Sequence, residues 1–261
     1  PGYYPLFGKL RLAKARLVGV RRTEDGPDPD DLAAKAASTG ARLFFTQSLA
    51  HNPTGCSITL PVAYRLLRTA TEHDLRIIDS DPFADVLPST SARLAALDQL
   101  DRVIYVRTFA KTLSASLRSG YIAANTDTIA RLADLKMITR ANSSGYIEQI
   151  IYDLITSGRY RGHLKRLTGR IEAATRQAYE SLAHLGLPVF GEPRGGFYMW
   201  CRLPDGIDDT QLSRIAAGQS ILLAPGSAFN PDAAPAPPAM RVNIAHVGDP
   251  RFAAFMAEHR K

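Results

Sequence analysis

One lysine of the chain stands in a run of hydroxyl-bearing residues. The stretch RTFAKTLSASLRSGY places Lys111 among Thr108, Thr112, Ser114 and Ser116 and adds the fixed cation Arg118 seven residues later. A partly desolvated amine beside a second cation is a usable nucleophile toward a carbonyl. A guanidinium fork with nearby hydroxyls suits a phosphate. These residue types could therefore hold an aldehyde that also carries a phosphate, although a surface lysine in a Ser/Thr turn fits the same stretch.

Two other polar loops follow apolar runs. The loop HNPTG contains Asn52 and comes after ARLFFTQS, and the loop DSDPF contains Asp79 and Asp81 and comes after LRII. The lysine stretch follows a third apolar run, DRVIYV. In a parallel sheet, ligands bind at the carboxyl ends of the strands. The three loops are therefore predicted to meet over one pocket if these runs are strands of one parallel sheet.

Strands and helices alternate through the first part of the chain. Apolar, β-branched runs predict strands at ARLVGVRR, ARLFFTQS, LRIIDSDPF and DRVIYVRTF. Between them, PDPDDLAAKAAS and LPVAYRLLRTATEHD have helical spacing and helix-start residues. Such alternation predicts an α/β fold with a mostly parallel sheet, covered on both faces in three layers.

The pattern changes after a long helix that is predicted to stop at Gly186. The strands GGFYMWCRL, SILLAPGS and MRVNIAH then surround a single helix, DDTQLSRIAAG. We therefore predict a large domain over residues 1–160 and a smaller C-terminal α+β domain over residues 161–261, which includes the long connecting helix.

Composition limits the class of protein. The chain has 261 residues, of which 45% are hydrophobic and 22% charged, and it contains neither a run of 18 apolar residues nor an apolar core of signal-peptide length near its start. Cys56 and Cys201 are too few for a disulfide framework, and the six histidines lack metal-ligand spacing, so no metal is predicted. The net charge of +7 fits either a basic surface or a nucleic acid or other anionic ligand. These features predict a cytoplasmic location.

Four segments together resemble the class I/II, fold-type-I aminotransferases, which use pyridoxal 5'-phosphate (PLP). TFAKTLSASLRSGY is similar to the family's Schiff-base segment, so the resemblance implies that Lys111 bonds the cofactor and that Thr108 and Arg118 hold its phosphate. HNPTG matches the family's Asn-Pro-x-Gly turn, which implies that Asn52 binds the pyridine 3-oxygen. MRVNIAH matches the Arg-x-Asn strand, which implies that Arg241 pairs with a substrate carboxylate.

The chain departs from this family at two cofactor positions. When RIIDSDPFADV is aligned on its Pro-aromatic pair, Ser80 takes the place of the acid below the pyridine nitrogen, and Phe83 that of a tyrosine. A serine cannot stabilise a protonated ring nitrogen as a carboxylate does, and a phenylalanine cannot hydrogen-bond the 3-oxygen. Asp79 and Asp81 point to the opposite face of an extended strand, unless a bulge turns one of them.

A narrower likeness concerns regulators. The segments GRYRGHLKRL, GGFYMWCRLP and LLAPGSAFN resemble the aminotransferase-like domain of MocR-type regulators of the GntR family, which reach DNA through an N-terminal winged helix. No winged-helix segment precedes PGYYPLF, which resembles a point inside the large domain, so the resemblance implies that the N-terminal part is missing.

Two functions stay open under this resemblance. The first is an aminotransferase that exchanges amino groups between an amino acid and a 2-oxo acid. The second is an effector-sensing domain with little or no turnover. A cofactor-free scaffold with a degenerate pocket is a third reading, against which Lys111 and Arg241 argue. The resemblance also implies a homodimer.

Overall fold

The computed structural model describes residues 1–88, 91–232 and 236–259. In this part of the chain the α-helices are α1 (Tyr4–Leu12), α2 (Pro29–Thr39), α3 (Leu60–Glu72), α4 (Leu94–Asp98), α5 (Thr126–Arg140), α6 (Gly145–Thr156), α7 (Arg159–His184), α8 (Asp209–Gly218) and α9 (Pro250–His259). The strands are β1 (Arg22–Thr23), β2 (Gly26–Pro27), β3 (Leu43–Thr46), β4 (Arg76–Ser80), β5 (Val103–Thr108), β6 (Gly120–Ala123), β7 (Tyr198–Arg202), β8 (Ala224–Pro225) and β9 (Ala239–Asn243). None of the helices described here has the length and apolar character that crossing a bilayer needs.

The chain forms two compact units. The lysine unit consists of residues 29–49 and 58–169, and the arginine unit consists of residues 1–28, 50–57 and 170–261. The boundary predicted between residues 160 and 161 falls inside α7. The two predicted domains remain a prediction, because compact units are defined by contacts and need not coincide with domains.

A four-stranded sheet forms the centre of the lysine unit, in the order β3-β4-β5-β6. The first three strands are parallel, and β6 runs antiparallel to β5. The apolar residues Ile77 and Val103 are fully buried in neighbouring strands, and α3 buries Ala63, Leu66 and Ala70 at helical spacing. The predicted α/β class with a mostly parallel sheet is thus confirmed.

The arginine unit contains an antiparallel sheet in the order β7-β9-β8. Met199 on β7 and Met240 on β9 are fully buried, as are Phe255 and Met256 on α9. Strand β8 keeps only two residues of the predicted strand SILLAPGS, and of the predicted strand ARLVGVRR only the last residue, Arg22, lies in a strand. Strand formation needs a partner strand as well as β-branched residues, and the strand pairing of these two segments is limited to Ala224, Pro225 and Arg22.

Gly120 allows β6 to lie close against β5. A Cβ atom at Gly120 would lie 2.3 Å from the carbonyl oxygen of Arg107 and 3.1 Å from the Cα of Thr108. We expect Gly120→Ala to lower the free energy of unfolding by about 1–3 kcal/mol, because backbone atoms must move. Urea unfolding measures this change. The matched control is Gly169→Ala in α7, where a Cβ meets nothing within 4 Å and alanine favours the helix by about 1 kcal/mol. Equal effects of both substitutions would contradict the close approach.

Candidate active site

Lys111 lies in a tight loop directly after β5. The amide of Leu113 donates to the carbonyl oxygen of Phe109 at 2.8 Å, which closes the turn around the lysine. The hydroxyl of Thr108 accepts from the amide of Ala110 at 3.1 Å and donates to the carbonyl oxygen of Ser119 at 3.3 Å. Lys111 itself is exposed. The loop therefore holds its own backbone and leaves the amine available for chemistry.

Arg118 has an unusual backbone conformation at the end of the same loop. It follows the 3-10 turn Ala115–Leu117 with φ 51° and ψ 32°, in the left-handed region. This conformation costs a residue other than glycine roughly 1 kcal/mol or more. Its exposed guanidinium reaches only the carbonyl oxygen of Ala115 within the described residues, at 3.4 Å. Such strained residues occur often where ligands are bound, and this arginine is free to meet an anion.

Ser80 ends the strand beside β5. Strands β4 and β5 are parallel, with Ser80 opposite Val106, so Ser80 and the lysine loop follow the carboxyl ends of adjacent strands. The side chain of Ser80 is exposed, whereas Phe83, three residues later, is fully buried. Of the two residues that the resemblance placed at cofactor positions, Ser80 is thus exposed at the sheet edge, and Phe83 packs in the core.

Asp79 is committed to the interior of the lysine unit. Its carboxylate accepts from the amide of Ser48 at 3.0 Å and from the Ser48 hydroxyl at 2.7 Å, and it is fully buried. The β4–β5 pairing continues residue by residue from Ile77 to Ser80. Because this stretch contains no bulge, Asp79 does not rotate to the face that Ser80 occupies.

Asp81 is also buried and partly bonded. Its Oδ2 accepts from the Tyr105 hydroxyl at 3.0 Å and from Nε of Arg93 at 3.4 Å, while Oδ1 has no hydrogen-bond partner among the described residues. Burial raises the pKa of the Asp81 carboxyl. Burial is also the largest cause that raises the pKa of the Tyr105 hydroxyl, and the neighbouring Asp81 carboxylate raises it further. Asp81 therefore keeps one buried carboxylate oxygen unpaired within the described residues, whereas both carboxylate oxygens of Asp79 accept from Ser48.

In the arginine unit, Asn52 and Arg241 contact each other. Nη1 of Arg241 donates to Oδ1 of Asn52 at 3.0 Å. The guanidinium carbon lies 4.2 Å from the ring centre of Tyr198 and 5.1 Å from that of Phe229. One hydrogen bond and two aromatic faces thus fix the direction of this arginine fork. The pairing joins residues 189 positions apart in the chain.

The residues predicted from sequence divide between the two units. The lysine unit contains Ser80, Phe83, Thr108, Lys111 and Arg118, and the arginine unit contains Asn52 and Arg241. Sequence patterns missed one group in the lysine unit, the buried Tyr160 with Thr112 and Asp85. Tyr160 stands in a basic run typical of a solvated helix face, and nothing in that run marks it as buried.

Comparison with known proteins identifies the family to which the chain belongs. The family model for aminotransferase class I and II matches residues 1–255. The chain is 26% identical over 235 residues to the HTH-type transcriptional regulator YdfD of Bacillus subtilis, covering 88% of this chain and 48% of the regulator. It is 27% identical to the 2-aminoadipate transaminase of Thermus thermophilus over 88% of this chain and 59% of the enzyme. The chain therefore spans about half to three fifths of these two relatives.

A solved structure shows the same fold. The kynurenine aminotransferase of Pyrococcus horikoshii superposes with a TM-score of 0.90 at 21% identity, over 100% of this chain and 66% of the enzyme. The match confirms the fold that the sequence resemblance implied, and the HTH-type regulator among the relatives confirms the likeness to regulators. With the family model matching almost its whole length, the chain belongs to the class I and II aminotransferases.

Proposed function

We propose that this protein binds pyridoxal 5'-phosphate covalently through Lys111 and exchanges amino groups between an amino acid and a 2-oxo acid. Family membership implies the cofactor. The observation that carries the proposal is the loop after β5, which offers an exposed lysine at the carboxyl edge of parallel strands and, seven residues later, the exposed, left-handed Arg118.

The side chains of the lysine unit fit two of the three needs of this cofactor. The amine of Lys111 suits the aldehyde, and the guanidinium of Arg118 with the hydroxyl of Thr108 suits the phosphate. The third need is an acid for the ring nitrogen, and Ser80, the residue that the resemblance places at this position, is a neutral hydroxyl that does not meet it. The arrangement thus supports cofactor anchoring more strongly than it supports rapid turnover.

Each site residue has a proposed task. PLP, when bound, supplies an aldehyde for the amino group and a ring that accepts electrons. Lys111 would hold the aldehyde carbon of PLP, and its amine is the group that would move the proton on the α-carbon of the substrate. Arg241 would bind the substrate carboxylate by two parallel hydrogen bonds, and its bond to Oδ1 of Asn52 fixes the side-chain amide of that residue.

A second candidate function is favoured by Ser80. Without a carboxylate below the ring nitrogen, the ring is a weaker electron acceptor, so amino-group transfer should be slow. A domain of this kind would detect an amino acid or amine rather than convert it, as in a MocR-type regulator. Contact with DNA would then require a winged-helix domain. A cytoplasmic location remains a prediction. A homodimer also remains a prediction, and exposed apolar side chains such as Met137 and Ile138 on α5 support it.

One experiment separates the two functions. The full-length protein is titrated with PLP while visible absorption is recorded, and amino-group transfer from ¹⁵N-labelled amino acids to 2-oxo acids is then followed by mass spectrometry. Cofactor binding with transfer supports the enzyme. Binding with spectral changes on adding amino acids, but without transfer, supports the sensor. No covalent binding at all would contradict both.

Arg118 offers a test in which stability and binding change in opposite directions. We expect Arg118→Gly to leave the free energy of unfolding unchanged or raise it by about 1 kcal/mol, since glycine adopts the left-handed conformation freely. The affinity for PLP should fall about tenfold or more, the value of one charge-assisted hydrogen bond. Urea unfolding and cofactor titration measure the two effects.

Gln99 is the matched control for this substitution. It is exposed and left-handed at the end of α4, with φ 53° and ψ 31°. Gln99→Gly should raise stability similarly and leave PLP affinity unchanged. An Arg118→Gly protein with wild-type affinity would remove Arg118 from the phosphate site.

A further inference from the structure

A chain of buried hydroxyls leads to the residue after Lys111. Thr112 and Tyr160 are 1% and 7% exposed, and their hydroxyl oxygens lie 2.8 Å apart. The Tyr160 hydroxyl also contacts the carboxylate of Asp85, which forms an ion pair with Arg107. A carboxylate in an ion pair only accepts hydrogen bonds. Tyr160 therefore donates to Asp85, and its oxygen accepts from the hydroxyl of Thr112.

Helix α7, which contains Tyr160, also holds the backbone of Thr112. Nε2 of His163 lies 2.8 Å from the carbonyl oxygen of Thr112. A carbonyl only accepts, so Nε2 carries the proton and donates. Tyr160 and His163 are three residues apart on α7 and so lie on one face of the helix. The first turns of α7 thus fix both the side chain and the carbonyl group of the residue that adjoins Lys111.

The hydrogen-bond network that begins at Thr112 ends at Arg107 and Tyr121, on the strands β5 and β6 beside the lysine loop. Arg107 belongs to β5, just before the loop, and its Nη1 donates to the hydroxyl of Tyr121 on β6 at 2.8 Å. Asp85 accepts from this arginine and from Tyr160. Burial raises the pKa of the Tyr160 hydroxyl, which keeps it a donor at neutral pH. The hydrogen-bond direction from Thr112 to Asp85 is therefore preserved.

We propose that Tyr160 and His163 are positioning residues that set the direction in which Lys111 leaves the backbone, an inference that rests on the proposed covalent role of Lys111. Lys111 is exposed, whereas its neighbour Thr112 is buried. The contacts with α7 therefore hold the turn at Thr112 and leave the side chain of Lys111 in solvent. A reacting amine must be held in a narrow range of directions to attack a carbonyl efficiently. The backbone bond from Leu113 to Phe109 closes the turn, and the bonds from α7 select one orientation of it.

This role predicts that two steps of cofactor binding separate. The affinity of initial, non-covalent PLP binding depends on the proposed phosphate ligands, Arg118 and Thr108. This affinity should stay within twofold of wild type in Tyr160→Phe and Thr112→Val. The rate constant for covalent bond formation at Lys111 should fall about tenfold, the effect of losing one ordinary hydrogen bond. Thr112→Ser keeps the hydroxyl and should restore the rate. The amide of Leu113 should exchange faster with solvent deuterium in the cofactor-free Tyr160→Phe protein.

The experiment mixes the full-length protein with PLP in a stopped-flow spectrometer. Borohydride trapping and peptide mass spectrometry identify the modified lysine, and fluorescence gives the non-covalent affinity. The matched control is Tyr152→Phe, which removes a hydroxyl from a side chain that is 61% exposed on α6 and should change nothing. Thermal unfolding establishes that each variant folds.

The outcomes distinguish this inference from the proposed function. If the wild-type protein forms no adduct at Lys111, the proposed function fails and the inference fails with it. If wild type forms the adduct and Tyr160→Phe and Thr112→Val form it equally fast, only the inference is overturned. Equal losses of affinity and rate would show a general structural role and overturn it too. If Tyr160→Phe does not fold, Thr112→Val and Thr112→Ser decide. Slow covalent bond formation in Thr112→Val with fast formation in Thr112→Ser supports the inference, and equal rates in the two variants overturn it.

Discussion

Replacing Lys111 with alanine is expected to abolish the covalent link between protein and cofactor. Lys111 is the lysine that the lysine unit exposes in the loop after β5, at the carboxyl edge of its parallel strands. No other amine in this loop can attack the aldehyde. The visible absorption of bound PLP should change, and the lysine adduct that borohydride traps should disappear from peptide mass spectra. Stability should change by less than about 0.5 kcal/mol, since the side chain is exposed.

Lys136 provides the matched control for this loss. It lies on α5 of the same unit, where its Nζ donates to the Ser143 hydroxyl at 2.9 Å. Lys136→Ala should retain the adduct and the spectrum. The Lys111→Ala protein should still bind PLP without a covalent bond, because the proposed phosphate ligands, Arg118 and Thr108, are intact. A reducible adduct that persists on another lysine of the Lys111→Ala protein would contradict the assignment of Lys111 as the residue that bonds PLP.

The spacing of apolar residues was sufficient to predict an element where that helix or strand buries an apolar face of its own. Helix α3 and strands β4 and β5 lie where the spacing of their apolar residues predicted them. The loops that follow these strands could be found in the same way, because polar residues after a buried parallel strand meet at one edge of the sheet. Lys111, Thr108 and Arg118 therefore emerged from the sequence together.

Long-range partners could not be read from the sequence. ARLVGVRR has the composition of a strand, yet only its last residue, Arg22, lies in a strand of the described chain. Tyr160 lies in a basic helical run and is buried through contacts with Thr112 and Asp85, which are 48 and 75 residues away. The bond between Arg241 and Asn52 spans 189 residues. Such pairings depend on how the chain folds back on itself, and neither residue type nor periodicity encodes them.

Replacing Arg241 with lysine should weaken ligand binding without releasing the cofactor. The guanidinium can grip a carboxylate through two parallel hydrogen bonds, whereas an ammonium group keeps the charge and loses the fork. Lysine also cannot keep the bond to Asn52 at 3.0 Å and the stacking on Tyr198 while it reaches a ligand. We expect amino acids and 2-oxo acids to bind more weakly by about 1.5–3 kcal/mol, the range for hydrogen bonds to charged groups. This loss corresponds to a factor of roughly 10 to 150 in Kd.

Titrations of the PLP-loaded, full-length protein with alanine, glutamate and tyrosine measure this effect through the visible absorption of the cofactor. Arg214→Lys is the control, since Arg214 is an exposed arginine on α8 of the same unit, and its affinities should match wild type. PLP affinity should be nearly unchanged in Arg241→Lys, because the phosphate is assigned to Arg118 and Thr108. Equal amino-acid affinities in Arg241→Lys and wild type would remove Arg241 from the substrate site. Loss of PLP itself would mean that Arg241, through its bond to Asn52, serves the cofactor rather than the substrate.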